Sequence, residues 1–180
     1  LDTGPLVGVS RIEISNVETA GSLHDQLAEL TASCICEIID TAPKSLESPV
    51  PQSETGLIYA TKITSADAMI DWTRSATMLD YHIRAFSPNP GAWCNGPKGR
   101  LRILRARPIR LAETTLNITA NPVAGRFLCR HDDGAMIIGC GDDALAIEQL
   151  QPAGKSAMPA SDFLNGAGLV IGERLDSTKQ

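Results

Sequence analysis

Pro43, Pro49 and Pro51 fall within nine residues of one another. No helix or interior strand runs through such a stretch, because proline fixes φ and lacks the backbone donor. The rest of residues 43–56 is mostly polar, so the segment reads as an extended, semi-stiff linker rather than coil. It separates two stretches of different charge. Residues 1–64 hold 3 Lys/Arg against 9 Asp/Glu, and residues 65–180 hold 13 against 12. An acidic protein with its cations segregated in this way reads as two domains, one of them with a local anion-binding surface.

Before the linker the pattern is strand, then helix. Residues 6–15 carry a near-alternating apolar set, Val7, Val9, Ile12 and Ile14, which predicts a strand. Ser22 with Asp25 three residues on predicts a helix start. Leu23, Leu27, Leu30, Cys34 and Ile38 follow at helical spacing, and Pro43 ends the helix. Strand followed by helix is the grammar of an α/β domain.

After the linker, Ser75 opens a second helix with Leu79, Ile83 and Phe86 inward, ended by Pro88 and Pro90. From residue 100 the period is two. Arg100-Leu101-Arg102-Ile103 alternates, the parity slips at Leu104, and Arg105-Ala106-Arg107 alternates again. A β-bulge at Leu104 would keep the arginines on one face. Residues 125–130, 135–140 and 145–150, separated by turn residues, read as a β-meander. A short helix near residues 160–164, with Gly166 past its end, closes the reading. The expected class is α+β: the remnant of a Rossmann-like α/β domain followed by a small open β-barrel of the oligonucleotide-binding kind. The expected boundaries are 1–42, 43–64 for the linker and 65–180. Only 7 residues are aromatic, so the core should be aliphatic.

The cysteines are Cys34, Cys36, Cys94, Cys129 and Cys140. With only one close pair and no histidine cluster they read as free thiols in a reducing cytosol, not as a metal site. His24, His82 and His131 are scattered, and each reads as a surface residue. No apolar run approaches the roughly 18 residues of a membrane helix. The first residues, Leu-Asp-Thr-Gly-Pro, have neither the basic nor the apolar region of a secretory signal, and read as the interior of a longer chain.

Lys98, Arg100, Arg102, Arg105, Arg107 and Arg110 put six cations into 13 residues without one acid. That is more than edge protection of a strand requires, and it predicts a phosphate-contact ridge. Lys155, on a turn after Pro152 and Gly154, is expected to reach the same ligand. Arg84 can pair with Asp80 one helical turn back. Trp72 and Trp93 are expected to pack rather than to stack on bases.

The chain carries, in order, Leu1-Asp2-Thr3-Gly4, Leu23-His24-Asp25-Gln26-Leu27, Pro51-Gln52-Ser53-Glu54, Tyr59-Ala60-Thr61-Lys62-Ile63 and Ile70-Asp71-Trp72. Ile83-Arg84-Ala85-Phe86, Pro88-Asn89-Pro90-Gly91-Ala92-Trp93 and Gln151-Pro152-Ala153-Gly154-Lys155 follow, with Asp162-Phe163-Leu164-Asn165-Gly166 last. In this order and spacing the segments resemble the methionyl-tRNA formyltransferase family. The resemblance implies an enzyme that moves a formyl group from 10-formyltetrahydrofolate to the methionyl amine of initiator tRNA in the cytoplasm. It implies that this stretch is the end of the catalytic domain, the linker and the tRNA-binding domain. The family's Asn, His and Asp are expected upstream of Leu1, Asp2 belonging to the Leu-Asp-Thr-Gly block, so no catalytic residue, bound folate or metal is expected here. The partner implied is initiator methionyl-tRNA, with self-association through an exposed N-terminal remnant as a further expectation. The alternatives are a stand-alone binding module without catalysis and a fragment of a related formyltransferase or formyltetrahydrofolate hydrolase.

Overall fold

The computed structural model describes residues 3–113, 118, 123–167 and 169–176. Leu1 and Asp2, from the first of the family-like segments, lie outside that set. The chain divides into two compact units, Leu1–Lys62 and Ile63–Gln180.

The first unit is built on helix α1, Ala20–Asp40. The helix starts three residues earlier than the sequence suggests. Thr19 is the N-cap, and Ser22 serves as the N3 partner of a reciprocal capping box. Thr19 Oγ1 accepts from Ser22 N at 3.1 Å, and Thr19 N donates to Ser22 Oγ at 2.9 Å. Glu18, which accepts from Ser22 Oγ and from Gln26 Nε2, draws the first turn together and left Asp25 without the capping role expected of it. No residue of α1 is buried. The strand expected over residues 6–15 does not form. A strand exists only through its ladder, and the backbone pairing here is a single bridge, Leu6 with Val50, at 2.7 and 2.8 Å. The linker contains one 3₁₀ turn, Lys44–Leu46, before reaching that bridge.

The second unit is an antiparallel sheet with two helices. Helix α2 is Ala76–Phe86, capped by the Ser75 side chain, and it buries Ala76, Leu79, Asp80 and Ile83. The strands are β1 Ala92–Gly96, β2 Gly99–Ile109, β3 Phe127–Arg130, β4 Met136–Gly139, β5 Ala144–Pro152 and β6 Met158–Pro159. Helix α3, Ala160–Ala167, follows and includes Gly166, which therefore lies inside the helix and not beyond it. The order across the sheet is β1-β2-β5-β4-β3, with β6 on β5.

Strand β4 is buried on both faces. Met136 and Ile138 join the larger aliphatic cluster with Leu79, Ile83, Leu101 and Ile147. Ile137, pointing the other way, packs with Leu128, Ala144 and Ala146 in a smaller one. The bulge at Leu104 is present. Ile103 pairs with Leu150, Arg105 with Gln149 and Ala106 with Ile147, so Leu104 on β2 and Glu148 on β5 have no direct cross-strand partner. The carbonyl of Leu104 is instead satisfied by the buried Ser87 hydroxyl at 2.9 Å.

The tail after α3 ties the two edge strands. Gly172 N and Leu175 N donate to Phe127 O and Gly125 O, and Phe127 N donates to Glu173 O, each at 2.8 Å. Asp176 and Asn95 exchange both backbone bonds, at 2.9 and 3.0 Å. Leu175, 1% exposed, anchors the tail in the core.

Candidate functional site

Alternation along β2 sends Leu101, Ile103 and Ala106 into the core, and the bulge keeps Arg100, Arg102, Arg105 and Arg107 on the other face. The structure divides these side chains into two sets.

The first set surrounds a shallow pocket of about 260 Å³ lined by Arg100, Arg102, Gln151, Pro152, Ala153 and Gly154. Trp93 sits opposite Arg102 and diagonal to Arg100 across the β1–β2 pair. The Arg100 guanidinium lies over the Trp93 ring at 3.9 Å and reaches Ser65 Oγ at 3.4 Å. Trp93 Nε1 donates to Ser65 O at 2.7 Å. Arg102 lays its stem along Gly91, where an added Cβ would sit 3.1 Å from Arg102 Cδ and φ is +81°. Arg102 has no carboxylate partner among the described residues. Gln151 Nε2 holds the turn by donating to Lys155 O at 2.7 Å, and the Lys155 side chain is exposed beside it.

The second set is self-paired. Arg105 Nε binds Glu148 Oε2 at 2.8 Å, and Arg107 Nε binds Glu148 Oε1 at 3.0 Å. Arg107 also holds Asp133, whose other oxygen binds His131 Nδ1 at 2.7 Å. The Asp133 carboxyl is held down at about 2. The backbone N–H of Ala135 is the largest cause, and burial opposes it more weakly; hydrogen bonds from His131 and Arg107 add to the lowering. The acid-free stretch of sequence is therefore not an acid-free surface. Glu148 and Asp133, brought by β5 and by the β3–β4 turn, pair with two of its six cations. Lys98 Nζ donates to Gly166 O at 3.2 Å near the C-terminal end of α3, and Arg110 lies exposed just past β2.

Arg84 pairs with Asp80 at 3.0 Å, and Trp72 and Trp93 are both buried. His24 is exposed, but His82 is not the surface residue expected. Its ring packs on Phe86 at 4.7 Å between centroids, and burial lowers its pKa despite a hydrogen bond with the Ala68 backbone. No group of three His, Cys, Asp or Glu side chains among the described residues could hold a metal, and no described helix is long and apolar enough to cross a membrane.

Fold and face together define a small α+β domain, an open antiparallel sheet with a basic strand face, preceded by a separate helical unit. The chain belongs to the family described as formyl transferase, C-terminal domain, whose model matches residues 62–168. It is 40% identical over 180 residues to the methionyl-tRNA formyltransferase of Dechloromonas aromatica, covering 98% of this chain and 53% of that protein. It is 41% identical to the one from Parvibaculum lavamentivorans, covering 96% and 54%. The chain thus spans about half the length of these relatives. Among solved structures, a variant of HypX from Aquifex aeolicus shares the fold with a TM-score of 0.69 at 20% identity, over 92% of this chain and 29% of that one. HypX in complex with tetrahydrofolic acid matches with a TM-score of 0.57 at 19% identity, over 74% and 22%.

Proposed function

We propose that this chain is the C-terminal part of a methionyl-tRNA formyltransferase, and that its own task is to dock initiator tRNA. In this reading residues 1–42 end a Rossmann-like catalytic domain, 43–64 form the linker, and 65–180 form a barrel of the oligonucleotide-binding kind. The edge-to-edge tie made by residues 172–176 supports the barrel. The whole enzyme would transfer a formyl group from 10-formyltetrahydrofolate to the methionyl amine in the cytoplasm. Its Asn, His and Asp would come from outside the stretch shared here. The exposed Leu27, Ile35 and Ile39 of α1 would support self-association of the isolated chain.

The observation that carries the docking role is the pair Arg100 and Arg102 on one pocket, Arg102 having no carboxylate partner among the described residues, with the exposed Lys155 on the turn that follows the pocket residues Pro152, Ala153 and Gly154. Lys98 and Arg110, just before and just after β2, are assigned to the same docking role. Phosphate contacts of this kind position a nucleic acid and give binding that weakens steeply with salt. The test is a salt titration of tRNA binding by the 180-residue chain and by its Arg100→Glu/Arg102→Glu variant. Weaker binding and a flatter dependence on salt are expected of the variant. Unchanged affinity and slope would overturn the reading.

A further inference from the structure

The one irregular site in the β2–β5 pair is also where the basic face meets its carboxylates. Leu104 and Glu148 are the residues without direct cross-strand partners there, and normal pairing resumes at Ala106 with Ile147. Released from the ladder, Glu148 stands between two arginines and gives one oxygen to each, 2.8 Å to Arg105 and 3.0 Å to Arg107. Asp133 takes the remaining end of Arg107. Two guanidiniums and two carboxylates cancel within a few ångströms, well inside the roughly 8–10 Å screening length of ordinary buffers. Glu148 is 28% exposed, so its pairing is better shielded than that of a free surface acid, while Arg105 is 75% exposed and open to solvent on its other side.

We propose that Glu148, with Asp133, masks Arg105 and Arg107 against polyanions. The phosphate-binding end of this face then stops at the bulge, and Glu148 sets how many phosphates the face engages. The inference rests on the docking role above for its biological ligand, but the mask itself is a property of the four side chains. Its consequence is selectivity. A polyanion bound at Arg100, Arg102 and Lys155 gains nothing by extending past the bulge, so binding depends on shape at one end and not on the length of the basic run.

The probes are an unmodified tRNA transcript and heparin, used with the full 180-residue chain. Glu148→Gln keeps the side-chain volume and frees Arg105. Glu148→Gln/Asp133→Asn frees both arginines. Asp132→Asn, an exposed acid of the same turn outside the ion-pair chain, makes the same change in net charge as the first variant. The expected result is a slope of log affinity against log salt steeper by about 0.7–0.9 for Glu148→Gln and by about twice that for the double variant. Asp132→Asn should keep the original slope. Adding Arg105→Gln and Arg107→Gln to Glu148→Gln should remove the gain. Glu148→Gln behaving like Asp132→Asn would overturn the mask. Heparin separates this from the docking role. If no variant binds tRNA but Glu148→Gln elutes from heparin at higher salt than Asp132→Asn, the mask stands and the docking role falls. If Glu148→Gln does not fold, Arg105→Gln in the original chain gives the converse comparison: a masked Arg105 adds no phosphate contact, so the slope should stay unchanged, and a slope flatter by about 0.7–0.9 overturns the mask.

Discussion

The guanidinium carbon of Arg100 stands 3.9 Å from the centre of the Trp93 ring, and both side chains also hold Ser65. The stack joins the residues that follow the linker to the start of the basic strand. A planar cation over a ring at an exposed site contributes about 0.5–1 kcal/mol. Arg100→Lys keeps the charge and loses the flat face. It should lower stability by about that amount in urea unfolding and leave the salt slope of tRNA binding near its original value. A slope that falls toward that of Arg100→Glu/Arg102→Glu would mean that the guanidinium shape, not its charge alone, meets the ligand.

Neighbouring positions on β2 should give opposite phenotypes. Leu101 is 1% exposed and points into the core, while Arg102 points to the basic face. Leu101→Ala should cost about 2–5 kcal/mol, and Leu101→Glu should abolish cooperative unfolding because it buries an unpaired charge. Arg100→Glu/Arg102→Glu should retain a cooperative thermal melt and lose tRNA binding. Circular dichroism and filter binding on the same preparations check both.

Much of the second unit was legible because its signals are local. Ser75 with the 3.6 spacing of Leu79 and Ile83 located α2, and the parity slip at Leu104 located the bulge. Strand β1 was not legible. Ala92–Gly96 is five residues long between Pro90-Gly91 and Pro97, too short to show a period. The basic ridge was legible as a run of cations but not as a surface. Whether Arg105 is free depends on Glu148, 43 positions away in sequence, and that follows only from the β2–β5 register. The apolar alternation of residues 6–15 misled, because alternation shows what a strand would bury and not whether a partner strand is there to pair with it. Alternation around Glu148 could have flagged the carboxylate, since it breaks parity on β5 as Leu104 does on β2.

Acid should act on the Asp133 end of the face in a defined window. Its carboxyl titrates at about 2 when folded, below its ordinary 3.8. A depressed carboxylate contributes stability that is complete above the unfolded value and lost as pH falls through the folded one. The contribution of Asp133 should therefore be constant at neutral pH and disappear between about pH 4 and pH 2. Asp133→Asn should be less stable than the original chain at pH 6, and the difference should close by pH 2. A difference that stays constant over that range would show that Asp133 is not held ionised by its partners.

The thiols should separate by burial. Cys36 is exposed and Cys34 half-buried, its Sγ 2.8 Å from Ser10 Oγ. Burial raises the thiol of Cys129, raises that of Cys94 further, and pushes that of Cys140 up to about 12. The thiolate is the reacting form, so these three should be inert while the chain is folded. A thiol-specific disulfide reagent at pH 8 should label Cys36 first and Cys34 next, and the remaining three only in denaturant. Early modification of Cys94 would indicate that the sheet opens near β1.

Two glycines should respond in opposite directions to the same methyl group. At Gly141, on the β4–β5 turn, an added Cβ would lie 1.7 Å from Thr73 O and 2.5 Å from Thr73 C, which are backbone atoms that cannot rotate away. The same turn carries the hydrogen bond from Gly141 N to Arg74 O and the one from Ala76 N to Asp142 O, so any shift there displaces the start of α2. Gly141→Ala should therefore destabilise the chain by about 1–3 kcal/mol or more, as overpacking of a fixed contact does. At Gly166, inside α3, an added Cβ meets nothing within 4 Å. Gly166→Ala should stabilise by at most about 0.5–1 kcal/mol, through the lower backbone entropy of alanine in the unfolded chain. Urea midpoints at constant m-value measure both. Equal and small effects at the two positions would mean that the β4–β5 turn does not pack against Thr73 as closely as the structure has it.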